Sequence, residues 1–196
     1  MKLTNPPGAT PIAPEILQDL KQSQITSQAE LNAAEQSNIA KSRLWSRTRR
    51  HPNLLTEAFV CRLHERMFGD VWKWAGKLRT IDLQNEVFVE RWRVPMELNL
   101  LVEDTKVAIA TTEHEQWDHF AARFHHRLVR IHAFNNGNGR HAREMTDLLL
   151  RQNEIAMFSW GSHSLVEPNE TRSRYISALR AADTGDLCKL VSFVRS

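Results

Sequence analysis

The chain has 196 residues, enough for one well-buried domain with an accessory segment. Hydrophobic residues make up 41% and charged residues 25%, which is ordinary for a soluble globular protein. The formal net charge of +3 is too small an excess to indicate nucleic-acid binding. No apolar run reaches the length of about 20 residues that spans a bilayer, so no membrane association is expected.

The N-terminus lacks the apolar core of a secretory signal, and nothing in it suggests export. The two cysteines, Cys61 and Cys188, are isolated and have no paired spacing for zinc or for a disulfide framework. A reducing, cytoplasmic setting is therefore expected.

Residues 1–14 contain four prolines and are predicted to form an extended arm. Residues 15–53 are predicted to hold two short helices with modest apolar faces, and residues 54–196 to form the main domain. A basic cluster near the end of the second segment favours a solvated helix end, with a phosphate-facing patch as the alternative. Its members are Arg43, Arg47, Arg49, Arg50 and His51.

The main domain begins with a predicted helix on which Leu55, Phe59, Leu63 and Met67 recur every four residues. Asn53 or Thr56 is expected to cap this helix, and Gly69 to end it. From Gly76 to Val94, β-branched and aromatic residues interleave with charge, which predicts two short strands joined at Gln84-Asn85. Pro95 is expected to open the next helix.

Two stronger helices follow, one from Trp117 to Ile131 and one starting near Arg140. The tail from Thr171 to Val194 is predicted to be helical, with a break at Gly185. The sequence therefore predicts an all-α fold, mostly helical, with one small β-hairpin.

The connection between the two stronger helices reads His132-Ala-Phe-Asn-Asn-Gly-Asn-Gly-Arg-His-Ala-Arg143. Its small residues leave backbone N–H groups exposed, and the helix that follows adds unpaired N–H groups and the positive end of its dipole. Such a segment is an anion-binding nest of the kind that holds phosphates. Arg140 and Arg143 lie one turn apart and can bind phosphate oxygens, while His132 is placed to act as a general base.

The same twelve residues resemble the Fic signature, His-Pro-Phe-x-(Asp/Glu)-Gly-Asn-Gly-Arg-x-x-Arg, at seven strictly placed positions. The stretch from Leu63 to Arg79 is similar to the helix and flap entry of that family, and the resemblance covers roughly Leu54 to Val194. Within the family, the chain looks most like the group called mobile mystery protein B.

This resemblance implies a protein adenylyltransferase, which moves AMP from ATP to a Ser, Thr or Tyr hydroxyl of a target protein. It implies His132 as the general base, and ATP with Mg²⁺ as substrate and cofactor. A bacterial, toxin-like role and homo-oligomer formation are suggested by the family alone. The implied phosphate-binding residues are Asn136, Gly137, Asn138, Gly139, Arg140 and Arg143, with Arg143 at the γ-phosphate. The implied target-docking flap contains Lys77, Leu78, Arg79, Thr80, Ile81, Asp82 and Leu83.

Two positions depart from the family pattern. Ala133 replaces the usual proline, and Asn136 replaces the acidic residue that helps to hold Mg²⁺. A neutral amide is a weaker ligand for Mg²⁺ than a carboxylate, so Asn136 is a doubtful metal ligand. A phosphotransferase and a non-catalytic nucleotide-binding module therefore remain alternatives. A transition-metal site built from the chain's histidines is not indicated, because no HExxH-like spacing is present.

Thr26-Ser-Gln-Ala-Glu30-Leu partly resembles the inhibitory motif (Ser/Thr)-x-x-x-Glu-(Gly/Asn) of some Fic proteins. In those proteins the glutamate pairs with the second arginine of the signature, here Arg143. The alternative is a capping-box-like pair on a surface helix. Glu35 is the second candidate for an inhibitory glutamate.

Overall fold

The computed structural model describes residues 14–48, 50–83, 87–162, 165 and 169–196. The predicted arm therefore lies outside the described residues except for Pro14. The described residues form eight α-helices and no strand, which confirms the predicted all-α class. The helices are α1 Pro14–Leu17, α2 Gln28–Arg47, α3 Glu57–Phe68, α4 Val94–Ile109, α5 Trp117–Ile131, α6 Asn138–Gln152, α7 Glu170–Asp183 and α8 Cys188–Val194. None of these helices is long and apolar enough to cross a bilayer.

Local signals set most helix ends where the sequence predicts them. The Thr56 hydroxyl accepts from the Phe59 N–H at 3.1 Å and caps α3, and Gly69 ends it. Pro95 lies in the first turn of α4, where its missing N–H costs no hydrogen bond. The break at Gly185 separates α7 from α8.

Helices α5 and α6 form the centre of the domain. They pack against each other, with α4 and α8 against α5 and with α3 against α6. Large side chains from this centre are shielded from solvent almost completely, among them Leu63, Phe68, Trp72, Phe134, Met145 and Leu149. The connection between α5 and α6 carries Phe134 into this core, so a rigid interior holds the predicted phosphate loop from behind.

The N-terminal segment differs from the prediction of two short helices. It contains the four-residue α1 and the 20-residue α2, and polar contacts dock much of α2 on the domain. Buried Glu144 of α6 accepts from Arg43 Nε and Arg47 Nε, both at 2.9 Å. A buried carboxylate is costly unless it is paired, and this need draws the two arginines of α2 onto α6.

Within the basic cluster, Arg43 is half exposed, as predicted for a solvated helix end, but it also pairs with buried Glu144; the prediction is wrong for Arg47, which is only 31% exposed and bonds the same carboxylate. It is also wrong for His51, which is buried and packs against the rings of both Trp45 and Phe59. Arg50 does lie in solvent, where it pairs with exposed Glu154 at 2.8 Å. The remaining member, Arg49, lies outside the described residues.

The predicted β-hairpin is wrong for the described residues on either side of its turn. Residues 77–83, named here the first flap arm, and 87–93, the second flap arm, contain no strand. The predicted turn at Gln84-Asn85 lies outside the described residues.

Hydrogen bonds to the α5–α6 region explain why these arms form no ladder. The backbone N–H of Arg79 donates to the Ala133 carbonyl at 2.9 Å, and that of Val89 donates to the Arg130 carbonyl at 3.2 Å. A backbone N–H used in this way cannot also donate across a ladder. The backbones of the two arms are thus bonded to the α5–α6 region, and among the described residues no backbone–backbone hydrogen bond joins one arm to the other.

Candidate active site

His132 ends α5 in a left-handed backbone conformation, with φ 49° and ψ 54°. A residue other than glycine rarely adopts this conformation, and such positions cluster where function requires them. The turn redirects the chain from α5 into the loop and places the imidazole at the loop entrance. This is the position that the sequence predicts for a general base.

The His132 ring is neutral and has one nitrogen suited to accept a proton. Burial lowers the pKa of His132 from 6.5 to about 4, despite a contact with the Val129 carbonyl that raises it. Because a carbonyl can only accept, Nδ1 carries the hydrogen that bonds Val129 O at 3.2 Å, which leaves the lone pair on Nε2. The ring of Phe88, in the second flap arm, covers one face of the imidazole at 3.8 Å between centroids.

Arg79 has a structural role that its sequence context does not reveal. Its side chain is buried, and Nε donates to the carbonyl of His132 at 2.7 Å. The remaining guanidinium nitrogens donate to Ile81 O at 2.8 Å and to Val89 O. The guanidinium therefore ties both flap arms to the base. The family resemblance places Arg79 in the target-docking flap, but its side chain is occupied inside the protein.

The other predicted flap residues lie nearer to solvent. Thr80, Ile81, Asp82 and Lys77 are exposed, and Leu78 and Leu83 are half-buried. Asp82 pairs with Arg91 of the second arm at 3.1 Å, which links the two arms a second time.

The predicted phosphate nest is formed by the N-terminus of α6. Gly137 precedes the helix with φ 78°, and the first intrahelical bond runs from His141 N–H to Gly137 O at 2.9 Å. The N–H groups of the three residues between them precede that first bond, so the helix itself does not use them. They stand together with the positive end of the helix dipole, which is a geometry suited to phosphate.

The Asn138 side chain pins the loop and does not face a ligand. Its Oδ1 accepts from Phe134 N–H at 2.9 Å, and its Nδ2 donates to Phe134 O at 2.7 Å. Only the backbone N–H of Asn138 can serve the predicted phosphate site. The side-chain amide instead fixes Phe134 in the core, and with it the path of the loop.

His64 of α3 supports the same loop, although no sequence motif marks it as a functional residue. Its Nε2 donates to the Asn136 carbonyl at 3.0 Å, and its Nδ1 accepts from the Gly76 N–H at 3.0 Å. The ring stacks on Phe134 at 3.7 Å, and burial holds the pKa of His64 well below its usual value. A neutral His64 thus joins the flap entry to the phosphate loop.

The two glycines of the nest are expected to respond differently to alanine. A Cβ on Gly137 would lie 2.6 Å from Phe68 at a positive φ, so Gly137→Ala should destabilise the protein by about 2–4 kcal/mol. A Cβ on Gly139 would meet Tyr175 Oη at 3.7 Å and Arg143 Nη1 at 3.8 Å, which is ordinary contact. Gly139→Ala should therefore leave stability unchanged or slightly higher, while its methyl group weakens nucleotide binding. Urea unfolding beside ATP titration measures both effects, and equal stability of the two variants would contradict the packing argument.

The two motif arginines have different partners. Arg140 Nη1 bonds Glu35 Oε2 at 2.5 Å, and its guanidinium lies 4.8 Å from the centre of the Phe68 ring. Arg143 pairs with no carboxylate of the described residues and lies over the Tyr175 ring. A half-buried cation without a counterion is costly, so Arg143 is prepared to bind an anion.

The predicted pair of Glu30 with Arg143 is not formed. Glu30 closes a capping box at the start of α2, where its carboxylate accepts from the N–H groups of Thr26 and Ser27 at 2.7 and 3.0 Å. The second candidate, Glu35, is buried and accepts from Trp72 Nε1 at 2.7 Å as well as from Arg140. The glutamate that contacts the signature arginines is therefore Glu35, and it pairs with the first of them, Arg140.

Asn136 does not build a metal site. Its Oδ1 accepts from the Gly137 N–H at 2.7 Å and from Arg140 Nη2 at 3.4 Å. The side-chain oxygen that could bind a metal ion is therefore engaged in contacts within the loop. Within the described part of the chain, no three His, Cys, Asp or Glu side chains converge on one point. These residues do not fit a resident Mg²⁺ ion, which would depend on phosphate oxygens and water for its ligands.

Four buried histidines are expected to make the fold sensitive to acid. Burial lowers the pKa of His125 to about 3 and those of His132 and His141 to about 4, and it also lowers the pKa of His64. Because unfolded histidines titrate near 6.5, the unfolded state binds more protons as the pH falls below that value. Stability should then drop by about 1.4 kcal/mol per pH unit for each such histidine until its folded pKa is reached. Urea unfolding at neutral pH and about two units lower checks this slope, and a flat profile would show that the histidines titrate normally.

Comparison with known proteins agrees with this geometry. Residues 54–150 match the model of the Fic/DOC family, and the chain belongs to that family. It is 29% identical over 141 residues to protein adenylyltransferase fic-1 of Caenorhabditis elegans and 30% identical over 141 residues to protein adenylyltransferase Fic of Drosophila melanogaster. These matches cover 69% of this chain but only 25% and 26% of those proteins, so the chain spans about a quarter of their length.

Solved structures show the same fold over most of the chain. The BepC protein of Bartonella tribocorum with bound AMPPNP has a TM-score of 0.70 at 17% identity, with 87% of each chain covered. The N-terminal FIC domain of Bep8 from Bartonella sp. 1-1C has a TM-score of 0.72 at 14% identity, with 89% of each chain covered. The resemblance to the mobile mystery protein B group stays a prediction.

Proposed function

We propose that this chain is a protein adenylyltransferase. His132 Nε2 takes the proton of a Ser, Thr or Tyr hydroxyl of a target protein as that oxygen attacks the α-phosphorus of ATP. The new bond joins the target oxygen to the α-phosphorus, the bond to the bridging oxygen of the β-phosphate breaks, and pyrophosphate leaves. AMP remains on the target.

One observation carries the proposal. A neutral histidine stands at the entrance of the loop that leads into an uncapped helix N-terminus, and the same helix carries Arg143, which has no carboxylate partner among the described residues. A base, a phosphate nest and a cation for a terminal phosphate are the parts that nucleotidyl transfer to a hydroxyl requires. The names of the two relatives, both protein adenylyltransferases, point to the same reaction.

The target chain is proposed to lie along the exposed side of the first flap arm as an added extended segment. Main-chain hydrogen bonds of this kind tolerate varied side chains, so the flap itself selects no sequence. Thr80, Ile81 and Asp82 are the exposed residues of this arm. The ring of Phe88 covers one face of His132, so docking at the flap and access to the base are coupled through the second arm.

The test is incubation of the purified protein with a lysate and ATP labelled at the α- or the γ-phosphate, with Mg²⁺ or Mn²⁺ present. Protein labelled only from the α-position supports adenylyl transfer. Label from the γ-position alone would establish the phosphotransferase alternative, which the neutral Asn136 favours. Nucleotide binding without any transfer would establish a non-catalytic module.

Asn136→Asp is expected to raise transfer severalfold and to make it depend more steeply on Mg²⁺. A carboxylate can keep both contacts of the amide oxygen, to Gly137 N–H and to Arg140, and adds a second, charged oxygen for the ion. Transfer rates across a Mg²⁺ titration measure the effect. Asn136→Ala, which removes the oxygen altogether, is the control, and an unchanged metal response in the aspartate variant would show that this position never faces the ion.

A further inference from the structure

Tyr175 of α7 lies against the phosphate nest, although it belongs to no part of the signature. It is the single tyrosine of the chain and is buried. A Cβ placed on Gly139 would be 3.7 Å from Tyr175 Oη and 3.8 Å from Arg143 Nη1. The hydroxyl and the guanidinium therefore border the same residue of the nest.

Tyr175 provides the contacts that orient Arg143. The guanidinium carbon lies 5.4 Å from the centre of the phenol ring, and a hydrogen-bonding interaction with the hydroxyl opposes the lowering of the Arg143 pKa by burial. Neither the ring nor the neutral hydroxyl cancels the charge of the arginine. Arg143 is thus held in place but keeps its full charge for an anionic ligand.

His125 of α5 holds the hydroxyl in turn. Its Nε2 lies 2.8 Å from Tyr175 Oη. Burial lowers the pKa of His125 to about 3 and raises the pKa of Tyr175, so the imidazole is neutral and the phenol keeps its hydrogen. The hydroxyl can then donate to Nε2 and offer its lone pairs to Arg143.

The imidazole is itself fixed from behind. It packs on the Trp160 ring at 4.6 Å between centroids, and Trp160 Nε1 donates to Asp147 Oδ1 at 3.0 Å. A continuous set of contacts therefore runs from buried Asp147 to the nest. Side chains locked by such a supporting layer can hold a binding group to the accuracy that a phosphate site needs.

We propose that Tyr175 is a positioning residue, which holds Arg143 toward the terminal phosphate of the bound nucleotide, with His125 directing the Tyr175 hydroxyl. The inference rests on the proposed function, because it requires a nucleotide in the nest. It assigns to α7 a part in selecting ATP over ADP.

The test is calorimetric binding of ATP and of ADP to the wild type, Tyr175→Phe, Arg143→Ala and the double variant. Phenylalanine keeps the ring and removes only the hydroxyl. We expect Tyr175→Phe to weaken ATP binding about tenfold, the size of one hydrogen bond to a charged group, and to change ADP binding by less than about twofold. In the Arg143→Ala background the same substitution should have no further effect, because both act on one contact.

Equal weakening of ATP and ADP, or no change in either, would overturn the positioning role, since a purely structural tyrosine cannot tell the nucleotides apart. If Arg143→Ala leaves the preference for ATP unchanged, Arg143 does not meet the terminal phosphate and the inference alone fails. If neither nucleotide binds the wild type, the proposed function fails as well. His125 supplies a second pair of variants. His125→Gln keeps a polar group near the position of Nε2 and should retain the ATP preference, whereas His125→Leu should lose it; the reverse order contradicts the proposal.

Discussion

Transfer by a His132→Asn protein is expected to fall by about 10²- to 10⁴-fold, the contribution of a positioned general base. Asparagine is the matched replacement because it tolerates the left-handed conformation of this position, φ 49°. Its amide can also donate to the Val129 carbonyl, as Nδ1 does at 3.2 Å. It has no group that accepts a proton as an imidazole does, so the loop is kept and the base is lost.

Binding of ATP to the same variant should stay near that of the wild type, because a base acts on the proton only in the transition state. Single-turnover transfer from α-labelled ATP and calorimetric ATP binding measure the two quantities. His132→Ala is a second variant, expected to lose stability as well, since alanine lacks both the donor and the tolerance for positive φ. Transfer by His132→Asn at the rate of the wild type would show that the ring has only a structural role.

The parts of the site that lie close together in sequence could be predicted from the sequence. The turn at His132, the glycine before α6 and the spacing of Arg140 and Arg143 are local features, because backbone preference and helix periodicity determine them. The same is true of the Thr56 cap and of the helix that ends at Gly69. In each case the residues involved are within a few positions of one another.

The contacts that support the site could not be predicted, because they join distant parts of the chain. Glu35 and Arg140 are 105 positions apart, and His64 and Asn136 are 72 apart. A sequence pattern shows that a charge is present but not which buried partner it meets. The missing hairpin has the same cause, since the β-like composition of the flap indicated strands while the hydrogen bonds of Arg79 fixed the arms to α5 and the loop.

A Glu35→Gln protein is expected to transfer AMP about tenfold faster than the wild type, provided that Arg140 serves the α- and β-phosphates. The Glu35 carboxylate bonds Arg140 Nη1 at 2.5 Å and is only 4% exposed, so it competes with phosphate for this arginine at short range. It also places a negative charge beside a site for anions. Both effects oppose nucleotide binding in the reactive position.

Glutamine is the suitable replacement because it removes the charge and keeps an oxygen that accepts from Trp72 Nε1, now bonded at 2.7 Å. Glycine would free the arginine too, but it would cost about 1 kcal/mol inside α2 and leave a cavity. Glu30→Gln is the matched control. It changes an exposed carboxylate of the same helix that serves only the capping box, so it should leave transfer as it is.

The gain should disappear when Glu35→Gln is combined with Arg140→Ala, because the two residues act through one contact. Steady-state transfer rates and ATP affinities of the four proteins complete the cycle. A fall in transfer with Glu35→Gln would contradict the prediction. It would show that Glu35 holds Arg140 in the position that the reaction requires. The pairs of Arg43 and Arg47 with buried Glu144 keep the rest of α2 docked in every variant, so a faster reaction would report release of Arg140 and not loss of the helix.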